Sequence, residues 1–266
     1  MSTKGFLSEA LMLRHIADEA HRFVPRSRRS SRLSVFYELY VAGGVADVVI
    51  VQFDRSAIAA RRRRGTPPVD DYLSVAVLHT LRLGPLGSSS LAALLKVSRD
   101  HLVRQHLTPL SDSGLITQAT DRTWKLARDY RPLALGIVAI EAKRADWLRA
   151  IHQARRYRRF ANRSYIALDA LASGRIEASR EELDSHELGW ASIDSQTGAV
   201  KIRADAPWRR PQSSIEFFLA AERAWAMQLS GIVSGPTQHV FGKWLPTAEE
   251  APTSSGAPAN RLVVAR

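Results

Sequence analysis

The chain has 266 residues, and 45% of them are hydrophobic, which is enough for a packed core in one large domain or two smaller ones. Lys and Arg outnumber Asp and Glu by 38 to 26, and the formal net charge of +12 predicts a polyanionic partner, either nucleic acid or an acidic membrane surface. The absence of cysteine excludes disulfides, a thiol nucleophile and Cys-ligated metal centres. No apolar run has the length of a membrane span or of a signal-peptide core. These features favour nucleic acid over membrane and predict a cytoplasmic, nucleoid-associated protein.

A helix and a β-hairpin are the first predicted elements. Residues 5–23 carry apolar side chains at helical spacing and precede Pro25. Residues 34–52 form two runs rich in Val, Tyr and Phe, and the Gly43-Gly44 pair between them indicates a hairpin turn. Asp47 stands at the head of the second run, where no neighbour in the run offers it a partner.

An insertion with a different pattern follows. Residues 54–70 combine Arg61–Arg64 with Gly65-Thr66-Pro67-Pro68, which predicts a domain boundary made of a solvated loop. Beyond it the pattern predicts three helices, over 72–83, 90–96 and 98–113, and then a hairpin over 117–126.

The run VSRDHLVRQHLTPLSDSGLI in this insertion resembles the recognition helix and following strand of a winged helix-turn-helix domain. The resemblance implies that the helix enters the major groove of DNA and that the hairpin contacts the backbone or the minor groove. A module used for protein contacts or for dimer formation is the alternative. The residues that would face DNA are Arg99, His101, Arg104 and Gln105 on the helix, with Arg122 and Lys125 on the hairpin.

A third pattern predicts a strand, a helix and a second strand. An apolar run over 137–140 leads into Glu141 and Lys143, which the alternation of a strand places on one face. Asp146 is a candidate N-cap for a basic helix, and a second apolar run covers 165–168. Strand, helix and strand in this order indicate a parallel crossover unit.

Three further elements are predicted in the last part of the chain. They are a helix over 173–186, a hairpin over 189–205 and an apolar helix over 213–229, which either covers the sheet or forms a homodimer interface. From Pro246 the composition turns to Pro, Ala, Ser, Thr and Gly, which predicts a disordered tail over 246–266. The eight histidines show no His-x-x-x-His or similar ligand spacing, so no histidine metal site is predicted.

Asp47, the Glu141-x-Lys143 strand and the Gln153-x-x-x-Tyr157 helix resemble, in this order, the PD-(D/E)XK nuclease superfamily. Ala46 stands where the family motif has proline. The resemblance implies an α/β fold, with a restriction-endonuclease-like mixed sheet flanked by helices. The nuclease-like domain would be discontinuous, over 1–65 and 130–245, with the winged helix inserted over 66–129.

The resemblance also implies a site. Asp47, Glu141 and the carbonyl of Ala142 would hold Mg²⁺ or Mn²⁺, Lys143 would assist catalysis, and Gln153 and Tyr157 would face the metal. The opening helix of the family often carries a further acid, here Glu9 or Glu19, although a surface salt bridge is the ordinary role of each. The basic residues Arg155, Arg156 and Arg159 would form a phosphate track.

We therefore expect a metal-dependent DNA nuclease acting in repair or defence. A DNA-binding regulator that keeps the scaffold without cleavage is one alternative, and an assembly subunit that uses its winged helix on protein is another. Each motif alone also fits an ordinary surface, with Glu141 and Lys143 as a solvated pair on an edge strand and Asp47 as a turn residue.

Overall fold

A computed structural model describes residues 5–28, 33–41, 44–128, 130–176 and 180–232, together with two short strands at 239–240 and 243–244. Gly43 of the predicted turn and the predicted tail over 246–266 lie outside the described residues. Every helix within these ranges is too short or too polar to cross a lipid bilayer. The helices are α1 Ala10–Asp18, α2 Arg55–Arg64, α3 Tyr72–Leu81, α4 Ser88–Leu95, α5 Arg99–Leu102, α6 Thr108–Asp112, α7 Trp147–Tyr157, α8 Arg180–Ser185 and α9 Ser214–Leu229. The strands are β1 Leu33–Val41, β2 Gly44–Phe53, β3 Leu86–Gly87, β4 Ile116–Gln118, β5 Thr123–Leu126, β6 Ala134–Lys143, β7 Arg163–Asp169, β8 Leu188–Ile193, β9 Val200–Ala204, β10 His239–Val240 and β11 Lys243–Trp244.

A six-stranded mixed sheet with the order β1-β2-β6-β7-β8-β9 forms the centre of the fold. The hairpin β1–β2 is antiparallel and pairs Leu33 with Gln52 at one end and Val41 with Gly44 at the other. Strand β6 runs antiparallel to β2 and parallel to β7, and α7 connects β6 to β7. The predicted α/β class, the hairpin and the parallel crossover unit are therefore confirmed.

Side-chain alternation divides the residues of β2 and β6 between two cores. Val49, Val51, Ile137 and Ala139 pack on the face covered by α7 and α9. Their sequence neighbours Val48, Ile50, Val138 and Ile140 pack on the opposite face, against α1. Because the period of a strand is two residues, Asp47, Glu141 and Lys143 all belong to the face covered by α7.

The predicted insertion forms a smaller sheet and a core of its own. Its order is α3, β3, α4, a helical segment over 99–112, β4 and β5, and the three strands pair in the order β3-β5-β4. The segment over 99–112 is α-helical at both ends and contains a π-turn at Val103–Leu107. Phe218 and Leu219 of α9 complete this core.

Helix α9 joins the two cores. Ala220, Ala221, Ala224 and Trp225 pack into the core of the large sheet, directly after the residues that enter the smaller one. Ser213 caps its first turn by accepting a hydrogen bond from the amide of Glu216. The helix therefore covers the sheet, which is one of the two roles predicted for it, and the predicted homodimer interface stays a prediction.

Three predictions of local structure were wrong. The arginine run does not lie in a solvated loop: it is the last turn of α2, which Asp54 caps through the amides of Ser56 and Ala57, and Gly65 ends the helix at a φ of 65°. The N-terminal helix is shorter than predicted, because α1 covers only Ala10–Asp18 before a 3-10 turn at Ala20–Arg22. The predicted helix over 173–186 is a 3-10 turn at Ala170–Arg175 and the short α8.

Arg61 makes a buried ion pair that connects α2 to α9. Its guanidinium lies 2.8 Å from Glu222 Oε2, and both side chains are almost completely buried. It also donates to the carbonyl of Pro67 and stacks over the ring of Trp225. Burial raises the pKa of Glu222 to about 7 although Arg61 opposes the shift. The amide of Val69 donates to the same carboxylate, so the pair also holds the segment that leads into the smaller unit.

We expect Arg61→Ala to lower the free energy of unfolding by about 3–5 kcal/mol, because it leaves a buried carboxylate without its partner. Arg63→Ala is the matched control: Arg63 is exposed on the same helix, and the change should cost less than about 0.5 kcal/mol. Urea unfolding followed by tryptophan fluorescence measures both values. Equal losses in the two variants would contradict the structural role of the pair.

Candidate functional site

Asp47 and Ala142 meet where β2 and β6 separate. The pairing of the two strands extends from Phe53 and Ala134 to Val48 and Ile140. Beyond that pair the amide of Ala142 donates to Asp47 Oδ2 at 2.8 Å, so a side chain takes the position that the next backbone partner would have. The carboxylate of Asp47 is thereby fixed beside the end of the Glu141-x-Lys143 strand.

The ammonium of Lys143 lies among oxygen atoms from three parts of the chain. Its Nζ is 2.8 Å from Glu141 Oε1, 3.2 Å from Glu9 Oε2 and 3.8 Å from Asp47 Oδ2. It also donates to the carbonyl of Ala142 at 3.1 Å. The structure thus brings Asp47, Glu141, Ala142 and Lys143 together, and it adds Glu9 from the segment before α1.

Tyr157 of α7 holds the second oxygen of Glu141. Its hydroxyl contacts Glu141 Oε2 and lies 2.6 Å from the carbonyl oxygen of Val45. Because the hydroxyl has a single proton, it donates to one of these acceptors at a time. The side chain of Glu141 is completely buried, and its Oε1 has the ion pair with Lys143 but no hydrogen bond of good geometry. Tyr157 and Lys143 are therefore the polar neighbours that make the burial of this carboxylate tolerable.

Burial and neighbouring charges shift the pKa values of Glu141, Asp47 and Lys143. Burial, reinforced by the charge of Asp47, raises the pKa of Glu141 to about 7, while Lys143 and Tyr157 oppose the shift. Burial likewise raises the pKa of Asp47 against the effects of Lys143 and the Ala142 amide. Burial disfavours the ammonium of Lys143, but the carboxylates of Glu141, Asp47 and Glu9 outweigh it and raise the pKa. The cluster therefore holds a charged lysine near neutral pH, with Glu141 close to its own pKa.

A cleft of about 590 Å³ adjoins the cluster at the carboxyl ends of the parallel strands β6 and β7. Such strand ends are where open α/β sheets bind ligands. Asp169 lies at its buried edge and accepts a hydrogen bond from the amide of Phe6 at 2.7 Å. Sequence reasoning missed Asp169, because a single acid after an apolar run carries no signal of its own. The lining residues are Glu9, Arg144, Ala145, Asp146, Asp169, Leu171 and Ala172.

Gln153 lies one turn before Tyr157 on α7. It lines a second cleft, of about 640 Å³, with Arg149, His152 and Arg156. Its Oε1 is buried and finds no hydrogen-bond partner among the described residues. Of the two residues predicted to face the metal, Tyr157 contacts Glu141 and Gln153 lines the second cleft.

The three arginines of the predicted phosphate track differ in their contacts. Arg155 and Arg156 are exposed, and the guanidinium of Arg156 lies close to Gly44 at the start of β2. Arg159 makes a two-pronged ion pair with the buried carboxylate of Glu216 at the first turn of α9. The guanidinium of Arg159 is therefore engaged in an ion pair within the chain.

The residues that the winged-helix resemblance assigns to DNA are solvent-exposed. Arg99, His101, Arg104 and Gln105 lie along the helical segment over 99–112. Arg122 and Lys125 lie on the β4–β5 hairpin, where Arg122 has a φ of 62° at the turn. All six side chains are therefore accessible to a binding partner.

The two acids predicted in the N-terminal segment, Glu9 and Glu19, make different contacts. Glu9 contacts Lys143, and its other oxygen accepts from the amide of Arg144 at 3.4 Å. Glu19 instead pairs with Arg22 at the surface, as its ordinary role predicts. Within the described ranges, no group of three or more His, Cys, Asp or Glu side chains is arranged so that they alone could hold a metal ion.

Comparisons with known proteins do not identify a family. No protein-family model matches the chain, and no curated protein sequence matches it. One solved structure, of a protein of unknown function from Silicibacter pomeroyi, covers 54% of this chain and 94% of its own length. Its sequence identity is 19% and its TM-score is 0.27, so it supports no conclusion about fold or activity.

We expect Tyr157→Phe to raise the pKa of Glu141 above its value of about 7, because the hydroxyl stabilises the charged carboxylate. A ¹³C NMR titration of the glutamate carboxyl groups measures the change. Glu187 is the internal control, since its hydrogen bond from Arg209 keeps its pKa below the ordinary value in both proteins. An unchanged or lower pKa for Glu141 would show that Tyr157 does not stabilise its charge.

Proposed function

We propose that the chain is a metal-dependent deoxyribonuclease that hydrolyses phosphodiester bonds. The observation that carries the proposal is the convergence of Asp47 and Glu141, from two different strands, on the ammonium of Lys143. The resemblance to the PD-(D/E)XK nucleases rests on the same residues. A role in DNA repair or defence, in the cytoplasm and on the nucleoid, belongs to the proposal.

The chemistry of the donor atoms fits a hard divalent cation. Glu141 Oε1, the Ala142 carbonyl and Asp47 Oδ2 all lie within 3.8 Å of Lys143 Nζ, so they already surround a positive charge. Mg²⁺ and Mn²⁺ prefer such oxygen ligands and take one or two carboxylates together with waters. Asp47, Glu141 and the Ala142 carbonyl would hold the cation. When bound, such a cation polarises a phosphate and acidifies a water.

The side chains themselves would share three tasks. Lys143 would stabilise the negative charge that develops on the phosphate during attack, since its ammonium is fixed by its carboxylate neighbours before substrate arrives. Tyr157 would hold Oε2 of Glu141 and so fix the carboxylate in one orientation, which keeps Oε1 directed at the cation site. The exposed Arg156, next to the start of β2, would bind a DNA phosphate near this site.

The unit over 66–129 would place the site on DNA as a winged helix. Its order of helices and strands and its exposed basic residues support this part of the proposal. The helical segment over 99–112 would enter the major groove, and the β4–β5 hairpin would contact the backbone. Arginine and glutamine are suited to bidentate contacts with bases, whereas lysine on the hairpin is suited to phosphate.

A DNA-binding regulator without cleavage is the second candidate, and one observation favours it. The ammonium of Lys143 already contacts the carboxylates of Glu141 and Glu9, so the charges of the cluster are largely balanced without a cation. Plasmid DNA incubated with Mg²⁺ and then with EDTA separates the two functions. Nicking that EDTA abolishes supports the nuclease, whereas binding to several forms of DNA without nicking supports the regulator.

We expect Lys143→Ala to abolish Mg²⁺-dependent cleavage and to leave DNA affinity within about twofold, because one charge is a small part of a contact made by many basic residues. Lys201→Ala is the matched control, since Lys201 is an exposed lysine on the edge strand β9. Plasmid nicking and a fluorescence-anisotropy titration give the two readings, and circular dichroism checks the fold. Loss of affinity with cleavage retained would make Lys143 a phosphate contact instead.

We expect Arg104→Ala to weaken DNA binding and to reduce the slope of log affinity against log salt by about one if Arg104 contacts a phosphate. If it contacts a base edge, the loss should be about 1–3 kcal/mol and confined to certain sequences. Anisotropy titrations over a range of salt concentrations distinguish the two cases, with Lys201→Ala again as the control. Unchanged affinity for every sequence would remove the helical segment from the DNA interface.

A further inference from the structure

Two histidines of the helical segment over 99–112 face each other. The Nε2 atoms of His101 and His106 are 3.4 Å apart, and their ring centroids are separated by 5.3 Å. In a regular α-helix, residues five positions apart point in directions about 140° apart, because each residue turns the helix by about 100°. The π-turn at Val103–Leu107 adds a residue to one turn and brings the two side chains to the same face.

His106 is oriented by contacts to α3. Its Nδ1 lies 2.9 Å from Ser74 Oγ and 3.3 Å from Asp71 Oδ1, and its side chain is 12% exposed. A proton on Nδ1 suits both neighbours, and it leaves the lone pair of Nε2 directed at His101. Asp71 is itself fixed, since the same oxygen accepts from the amide of Ser74 as the N-cap of α3. His101 is exposed, so the position between the rings is open to solvent.

We propose that His101 and His106 bind a divalent transition-metal ion, such as Zn²⁺, Ni²⁺ or Cu²⁺, through their Nε2 atoms. Two nitrogens that ligate one tetrahedral zinc at about 2.0–2.1 Å are about 3.3–3.4 Å apart, which is the separation of these two atoms. Asp71 supplies the carboxylate that commonly accepts the other ring N–H of a metal-ligating histidine. Water completes the coordination, because the two imidazoles are the protein ligands at this position.

This site differs in chemistry from the cluster around Lys143. Imidazole nitrogen selects the borderline ions, whereas the oxygen atoms around Lys143 suit Mg²⁺ and Mn²⁺. The two sites also belong to different parts of the fold, the smaller unit and the six-stranded sheet. The proposal is therefore independent of the nuclease activity, and each can fail without the other.

The test is a titration of the full-length chain with Zn²⁺ by isothermal calorimetry, with Mg²⁺ in excess to occupy the oxygen site. The unmodified protein should bind a single Zn²⁺ ion, with Cu²⁺ tighter and Mn²⁺ weaker, as the general order of metal affinities requires. His101→Asn and His106→Asn should each weaken binding by at least about 10-fold, because a single imidazole remains. Asp71→Asn should weaken it by about 10-fold to 100-fold, while asparagine still caps α3.

Two controls make the result specific. His152→Asn removes an exposed histidine of α7 and should leave Zn²⁺ binding unchanged. Lys201→Ala, on the edge strand β9, should leave it unchanged as well. If His101→Asn binds Zn²⁺ as tightly as the unmodified protein, the two rings form only a hydrogen bond to each other and the proposal is wrong. Because His101 is exposed, this variant decides the matter even if His106→Asn fails to fold.

Discussion

The complete burial of Glu141 is the constraint on which the candidate site depends. A buried carboxylate is tolerated only when hydrogen bonds and opposite charge replace its water. Lys143 supplies the charge and Tyr157 the hydroxyl, and both are positioned by the strand and helix that form the crossover unit. Asp47 lies at the point where β2 leaves β6, and its carboxylate accepts a hydrogen bond from the Ala142 amide there. The cluster is thus a consequence of packing as well as a candidate for chemistry.

Much of this arrangement could be predicted from short patterns. The alternation in β2 and β6 places Asp47, Glu141 and Lys143 on one face, and strand pairing brings them together. Glu9 was harder to assign, because its contact with Lys143 depends on how the chain before α1 crosses the sheet edge. Tyr157 contacts Glu141 and Gln153 lines the second cleft, and helical spacing alone does not say which of two residues four apart faces a particular atom.

Other features were beyond sequence reasoning for a different reason. Arg61 belongs to a run of arginines that composition assigns to solvent, yet Glu222, from a distant part of the chain, allows it to be buried. The proximity of His101 and His106 requires a π-turn, and the residues of that turn carry no sequence pattern that predicts it. In both cases the decisive partner or distortion belongs to tertiary structure, while the spacing rules describe regular and local structure.

The position of α9 has a consequence for the order in which the chain can assemble during translation. Its residues complete both cores, the smaller through Phe218 and Leu219 and the larger through Ala220 to Trp225. Synthesis is directional, and domains that end early usually fold while the ribosome is still working. Among the described residues, neither core is complete until α9 has left the ribosome, so the nascent chain exposes apolar surface on both units until that moment.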